Sequence, residues 1–244
     1  LTLVKGMFTG RIAKRVRHGR ESKSPSKIRV ACRIQSHPSR RLLRERLLAG
    51  LAGMPVEVVE TEYDPPSPWL GYRECLSNPP DCTHLLVAQD DAIVCRNLPR
   101  AVELIAAAEP DVPVVLYLGM LPPNKLPALK AGKEGKRFVD LLPSSFMPVV
   151  AVMWPAGLAA EFLAWSGNPE LLRRRNGLSI NERSDDAMAG RWMRQTRQRV
   201  VATIPSLFEH PDDAPSTIGR NPGGRTALFW HGTGWDATSV EWTV

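Results

Sequence analysis

No run of about 18 consecutive apolar residues occurs in the chain, and its first residues lack the basic-then-apolar order of a secretory signal. These absences predict a cytoplasmic protein without a membrane span. Missing too is any C-x-x-C pair. The four cysteines, Cys32, Cys75, Cys82 and Cys95, stand apart, which excludes a zinc knuckle or a thioredoxin-type motif and leaves reduced thiols, partly in core strands. Internal repeats and long low-complexity tracts are also absent. What is present looks globular: 43% hydrophobic and 23% charged residues argue against wholesale disorder, and 244 residues suit one α/β domain of ordinary size, or one domain with an added tail, with a single catalytic domain expected.

The net charge of +7 is unevenly placed. Residues 1–50 hold 14 Lys/Arg against Glu21 and Glu45, a balance of +12, which leaves −5 for residues 51–244. A mildly acidic body therefore carries a basic N-terminal strip, suited to a polyanion such as nucleic acid or an anionic surface; a merely solvated basic tail is the competing reading. Residues 1–26, weakly periodic and ending Ser/Pro-rich, read as a basic flexible arm, with the folded domain occupying 27–244.

From Lys27 onward, strand and helix signals alternate. Ile28–Ile34 reads as a strand, followed by a turn and by a helix capped by Ser39, with Leu43, Leu47 and Leu51 on one face. Val56–Val59 is a second strand, and a proline-marked loop leads to a helix near Trp69–Leu76. The run Leu85–Ala88 is wholly apolar, as buried strands of parallel sheets are, and stops at Gln89-Asp90-Asp91. Asn97 and Pro99 open a helix. Pro113–Leu118 and Val149–Met153 are further strands, with a helix through Leu158, Phe162 and Trp165. Ser184 caps a helix carrying Met188 and Trp192, a pair read as core, and Arg199–Ile204 is a last strand before Phe208-Glu209-His210. Such alternation predicts a three-layer α/β domain.

Ligands of open α/β sheets collect beyond the carboxyl ends of strands, which is where Asp90 and Asp91 fall. Adjacent carboxylates there repel unless a cation accompanies them, and hard oxygen donors suit Mg²⁺ or Mn²⁺. An Asp-Asp turn that only ends a strand is the plainer alternative.

The stretch HLLVAQDDAIVCRNL resembles the apolar strand and D-x-D-type segment of GT-A glycosyltransferases, particularly bacterial lipopolysaccharide-type and small bacteriophage-type enzymes, which carry E-D-D or D-D-D. Here Gln89 takes the first place. A second block, SDDAMAGRWMRQTRQRVVATIPSLFEHPDDAPSTIG, is similar to the same family's acidic helix start, strand and downstream histidine. The resemblance spans roughly residues 27–235. It implies a GT-A, Rossmann-like three-layer sandwich with a mostly parallel central sheet, a nucleotide-sugar (UDP-sugar) donor and Mn²⁺ or Mg²⁺. It implies Asp90, Asp91 and His210 as metal ligands and Asp186, or its neighbour Asp185, as the general base of an inverting enzyme; a retaining enzyme requires no such base. Arg33, Gln35, Ser36, Gln89, Asp90 and Arg225 are the expected donor-binding positions, and Arg40 shares with Arg33 the chemistry to pair with a phosphate. Ordinary first-turn acids and a loop histidine are the duller alternatives for Asp185, Asp186 and His210.

The glycine-rich tail (Gly219-Arg220, Gly223-Gly224-Arg225, His231–Trp235) suits a loop closing over the diphosphate, or else a plain surface segment. The basic strip, Arg173–Arg175 and the phage-type resemblance favour DNA as acceptor, at a hydroxymethylated pyrimidine, in a bacterial cytoplasm if the chain is phage-encoded. Competing functions are transfer to protein or surface polysaccharide, a non-catalytic nucleic-acid-binding module, and a nucleotidyltransferase or nuclease.

Overall fold

In the computed structural model of the chain, residues 27–64, 67–120, 122–142, 149–168, 184–211 and 226–243 are described. The arm 1–26, Arg173–Arg175 and Arg225 lie outside them. The chain enters the sheet through β1 (Val30–Ser36) and passes a single 3-10 turn (Pro38–Arg40) into α1 (Arg41–Gly50). Then come β2 (Val56–Glu60), α2 (Pro68–Leu76), β3 (His84–Gln89), the short β4 (Ile93–Val94) and α3 (Leu98–Ala108). Next are β5 (Val114–Val115), α4 (Lys125–Lys133), β6 (Phe138–Asp140), β7 (Ala151–Pro155) and α5 (Ala156–Ser166). Then follow α6 (Asp185–Thr196), β8 (Val201–Thr203), β9 (Phe208–Glu209) and a closing 3-10 turn (Ala237–Ser239).

Among the described residues seven strands form one sheet in the order β2-β1-β3-β7-β5-β8-β6, and β4 pairs with β9 as a separate ribbon. β2, β1, β3, β5 and β8 run the same way, whereas β7 and β6 run against them. The described residues thus form an α/β domain with a mostly parallel central sheet flanked by helices, an arrangement compatible with a Rossmann-like fold; the α/β class is the one the alternating pattern predicts.

Alternate side chains of the central strands feed two cores, the expected consequence of a period of two in a sheet buried on both faces. Leu86 and Ala88 pack with Leu47 and Leu51 from the α1 side and with Val102 and Ile105 of α3. Leu85 and Val87 pack on the opposite face with Trp69 and Tyr72 of α2, Phe162 of α5 and Trp192 of α6. On that second face Trp154 and Phe162 stack with centroids 5.2 Å apart, and the Trp154 indole donates to the Tyr72 hydroxyl at 2.8 Å. Met188 and Trp192 are core residues, as read from the sequence.

Several boundaries differ from expectation. The strand predicted over Pro113–Leu118 contracts to Val114–Val115, and α4 and β6 occupy a stretch for which no elements are predicted. The Ser39 hydroxyl does not cap α1 but lies 2.7 Å from His37 Nδ1. Ser184 occupies the N-cap position of α6, yet its hydroxyl donates to Asp186 rather than accepting from the backbone. All four cysteines are free, and burial pushes the thiols of Cys75 and Cys95 up to about 12, which disfavours their thiolate forms. No helix among the described residues is long and apolar enough to cross a membrane.

Where α1 meets β4 the approach is close: a methyl group on Gly50 would overlap Cγ2 of Val94. Glycine at the end of α1 thereby lets the helix rest on the strand that follows the acid pair.

Candidate functional site

β1 and β3 are parallel neighbours with Gln35 beside Gln89, so both chains leave the sheet at the same end. The Asp90 amide donates to the Gln35 carbonyl at 3.1 Å, which ties the exit of β3 to that of β1. Past this point Asp90 and Asp91 turn inward, only 2% and 1% exposed.

Two distant segments are brought to this pair. The ribbon of β4 and β9 sets Ile93 against Glu209 and Val94 against Phe208, which returns His210 to Asp91; its Nε2 lies 3.1 Å from Asp91 Oδ2. From the other side, Gln89 Nε2 donates to Asp185 Oδ2 at 3.3 Å across a sequence separation of 96 residues. The two blocks that carry the sequence resemblance therefore meet at one sheet edge.

The cation demanded by the acids is supplied from within. Arg40 Nη1 lies 3.1 Å from Asp90 Oδ1 and 2.6 Å from Asp91 Oδ2, and the His37 amide donates to Asp90 Oδ2 at 2.7 Å. The two carboxylates respond oppositely. For Asp90 the cost of burial outweighs these donors and its pKa is raised. For Asp91 burial is again the largest influence, but the hydrogen bond and charge of His210, joined by Arg40, overcome it and hold the carboxyl below its usual range. The difference follows from His210, which bonds Asp91 alone, and from the Asp91 charge, which adds to the rise at Asp90. His210 Nδ1 faces the Pro211 carbonyl at 3.1 Å, so both ring nitrogens face acceptors.

Asp185 is buried, with Oδ1 accepting from the Asp186 amide at 2.9 Å. Burial, reinforced by the neighbouring Asp186 charge, pushes its pKa up to about 7. Asp186 is half-buried, and burial raises its pKa as well, opposed by the hydroxyl of Ser184. Of the two, Asp186 is the more exposed. Because native Asp185 holds its proton to about pH 7 while the unfolded chain releases it near 4, its contribution to stability declines as pH rises through that window. Asp185→Asn should thus gain stability over the parent by about 2–3 kcal/mol between pH 5 and pH 8. Urea denaturation at several pH values checks this.

Other expected site residues are placed differently. Arg33 does not reach the site: Nη1 donates to the Cys75 carbonyl at 3.2 Å and to that of Ser77, Nη2 to the Asn78 carbonyl at 2.7 Å, and Nε to Glu57 at 2.8 Å. It clamps the C-terminal end of α2, where helix carbonyls need donors. The Ser36 hydroxyl accepts from Arg44 at 3.1 Å and is likewise spent on local structure. Gln35 Nε2 donates to the Pro68 carbonyl at 2.8 Å, while its buried Oε1 has no partner among the described residues.

The basic strip is also less open than its charge suggests. Within its described part Arg29 pairs with Asp81, Arg33 with Glu57, Arg41 with Glu45 and Arg44 with Glu60. Arg46 instead joins Arg96, Asn97 and Arg100 in lining a cleft of about 520 Å³ beside β4. In the tail, His231 and Trp235 lie 5.0 Å apart, and the Trp235 carbonyl accepts from the Arg96 amide at 2.9 Å, so this end is docked against the start of α3.

The donor set suits a hard divalent ion in kind: two carboxylates, one of whose buried oxygens, Asp91 Oδ1, accepts from no group among the described residues. As arranged, no three carboxylate, imidazole or thiol groups among the described residues converge as a ready metal cage. His210, expected as third ligand, is bonded to Asp91, and Arg40 fills the space between the acids. An ion shared by both carboxylates would have to take the place of the Arg40 guanidinium. No protein-family model matches the chain, and no curated protein matches it significantly in sequence.

Proposed function

We propose that the chain is a GT-A-type glycosyltransferase that moves a sugar from a nucleotide-sugar donor to an acceptor hydroxyl. The observation carrying this reading is the convergence of Gln89-Asp90-Asp91 with Asp185-Asp186 and His210 at the carboxyl edge of the sheet. That edge is where open α/β sheets bind ligands, and the convergence joins the two blocks in which the chain resembles the family.

In the proposed reaction Asp186 takes the proton of the acceptor hydroxyl. The acceptor oxygen forms a bond to the anomeric carbon as the bond from that carbon to the diphosphate breaks, and the nucleoside diphosphate leaves with the electron pair. Mn²⁺ or Mg²⁺ held by Asp91 and Asp90 would offset the charge growing on that leaving group. His210 keeps Asp91 ionised and oriented, and Asp185 holds Gln89 against the start of α6. The proposed acceptor is a hydroxymethylated pyrimidine of DNA. Supporting it are the basic residues before Lys27 and the arginine-lined cleft beside β4, both suited to phosphates.

Incubation with a panel of labelled nucleotide sugars and Mn²⁺ tests the proposal, using hydroxymethylated DNA, plain DNA and cell-envelope glycans as acceptors. Label should pass to hydroxymethylated DNA alone. Transfer only to glycans would replace the acceptor, and transfer to nothing, with no nucleoside diphosphate released, would remove the glycosyltransferase reading.

A further inference from the structure

Arg40 differs from the other paired arginines of its segment. The carboxylates facing Arg29, Arg33, Arg41 and Arg44 are about half exposed or more, whereas those of Asp90 and Asp91 are 3% and 1% exposed. It stands at the end of the 3-10 turn between β1 and α1, outside any strand, and reaches across the sheet edge with its side chain 10% exposed. There it is the cation that touches both members of the pair, beside His210 on Asp91 alone, and offsets the repulsion of two buried carboxylates. Oδ1 of Asp90 and Oδ2 of Asp91 are both held by this one nitrogen, and Oδ2 of Asp90 is held by the His37 amide.

A divalent ion and a guanidinium cannot share these oxygens, because like charges a few ångströms apart in a poorly screened site repel strongly. Entry of the ion therefore needs departure of Arg40. A guanidinium expelled from carboxylates is stable only where another anion receives it, and its planar fork matches phosphate oxygens as well as it matches carboxylate.

We propose that Arg40 is the resident counter-cation of the acid pair and passes from Asp90 and Asp91 to the donor diphosphate when the divalent ion binds, so that metal and nucleotide sugar are taken up together. This rests on the glycosyltransferase reading and adds to it a donor-contacting residue with two alternative anionic partners. Free metal is held off by the protein's own arginine. Metal accompanied by a diphosphate is admitted, because the diphosphate receives the arginine that the metal expels. The two ligands then favour each other's binding, a coupling that must be reciprocal.

The test is titration of the full chain with Mn²⁺, alone and with UDP, GDP, ADP or CDP, following free Mn²⁺ by electron paramagnetic resonance. The parent chain, Arg40→Gln and Arg40→Lys are compared. The parent should bind Mn²⁺ alone weakly and roughly tenfold or more tightly with at least one diphosphate. Arg40→Gln should bind Mn²⁺ alone roughly tenfold more tightly than the parent and gain little from the diphosphate. Its melting temperature without metal should fall and be restored by Mn²⁺ beyond any rise in the parent, so an unstable variant still reports through metal-induced folding. Arg40→Lys, which keeps the charge but not the fork, should resemble the parent with Mn²⁺ alone and show a weakened diphosphate gain. Equal affinity of parent and Arg40→Gln for Mn²⁺ alone, or an undiminished diphosphate gain in Arg40→Gln, would overturn the proposal. If the parent nevertheless transfers sugar, only the role of Arg40 falls; if no protein takes up Mn²⁺ in any condition and no sugar is transferred, the glycosyltransferase reading falls with it.

Discussion

Under the proposed glycosyltransferase reading, Asp186→Asn is expected to lower the rate of sugar transfer by about two to four orders of magnitude, the usual contribution of a positioned general base. The substitution keeps shape, and Asp186 lies on the first turn of α6 with its carboxylate steadied by the Ser184 hydroxyl, so fold and donor affinity should change little. Burial raises the pKa of this carboxyl, which makes it a better proton acceptor than a solvated aspartate, while the helix N-terminus fixes its orientation and favours its charged form. Asp185→Asn should act differently. That residue is buried behind Asp186 against Gln89, so its removal alters stability with pH more than it alters chemistry. Steady-state rates with saturating donor, measured beside donor affinity, separate the two. An Asp186→Asn enzyme of undiminished rate would assign the proton elsewhere or point to a retaining mechanism.

The second large effect is on folding. Asp91→Ala should cost about 3–5 kcal/mol of stability, because it leaves His210 and much of the Arg40 guanidinium buried without their carboxylate. Asp90→Ala should cost less, since burial outweighs the donors around Asp90 whereas His210 and Arg40 prevail at Asp91. The sign of the pH dependence follows. Asp91 has a depressed folded pKa, so its stabilisation is present above the ordinary carboxylate range and is lost as pH falls through the folded value. Urea denaturation at pH 7 and near pH 3 should show Asp91→Ala far below the parent in the first case and closer to it in the second.

What the sequence discloses and what it conceals have physical reasons. The apolar run ending at Gln89 announces β3, and the acids at its end mark the candidate site, because a doubly buried strand and a charged terminus both leave marks in composition. The reversed direction of β7 leaves none, since a buried strand reads the same whichever way it runs. The ribbon that returns His210 to Asp91 consists of two-residue strands, too short for any period to register. Pro127 within α4 and its weakly sided surface conceal that helix. Arg33 is expected at the donor site, but its partners are mostly backbone carbonyls at and just beyond the C-terminal end of α2, which have no sequence signature. The largest omission concerns Arg40. Electrostatics correctly demands a cation beside Asp90 and Asp91, and a metal is the obvious candidate when only the acids are considered. The clue lay in the parallel pairing of β1 with β3: residues just beyond both strands share one sheet edge, and there the chain carries its own cation.

Calorimetric titration of the intact chain with a panel of nucleotide sugars, with and without Mn²⁺ and repeated on Asp91→Asn, addresses the central claim most directly. The account predicts that one nucleotide sugar binds in the presence of the ion, that omitting the ion weakens it at least roughly tenfold, and that Asp91→Asn erases the difference. Absence of binding by every activated sugar, or binding indifferent to both the ion and Asp91, would contradict it.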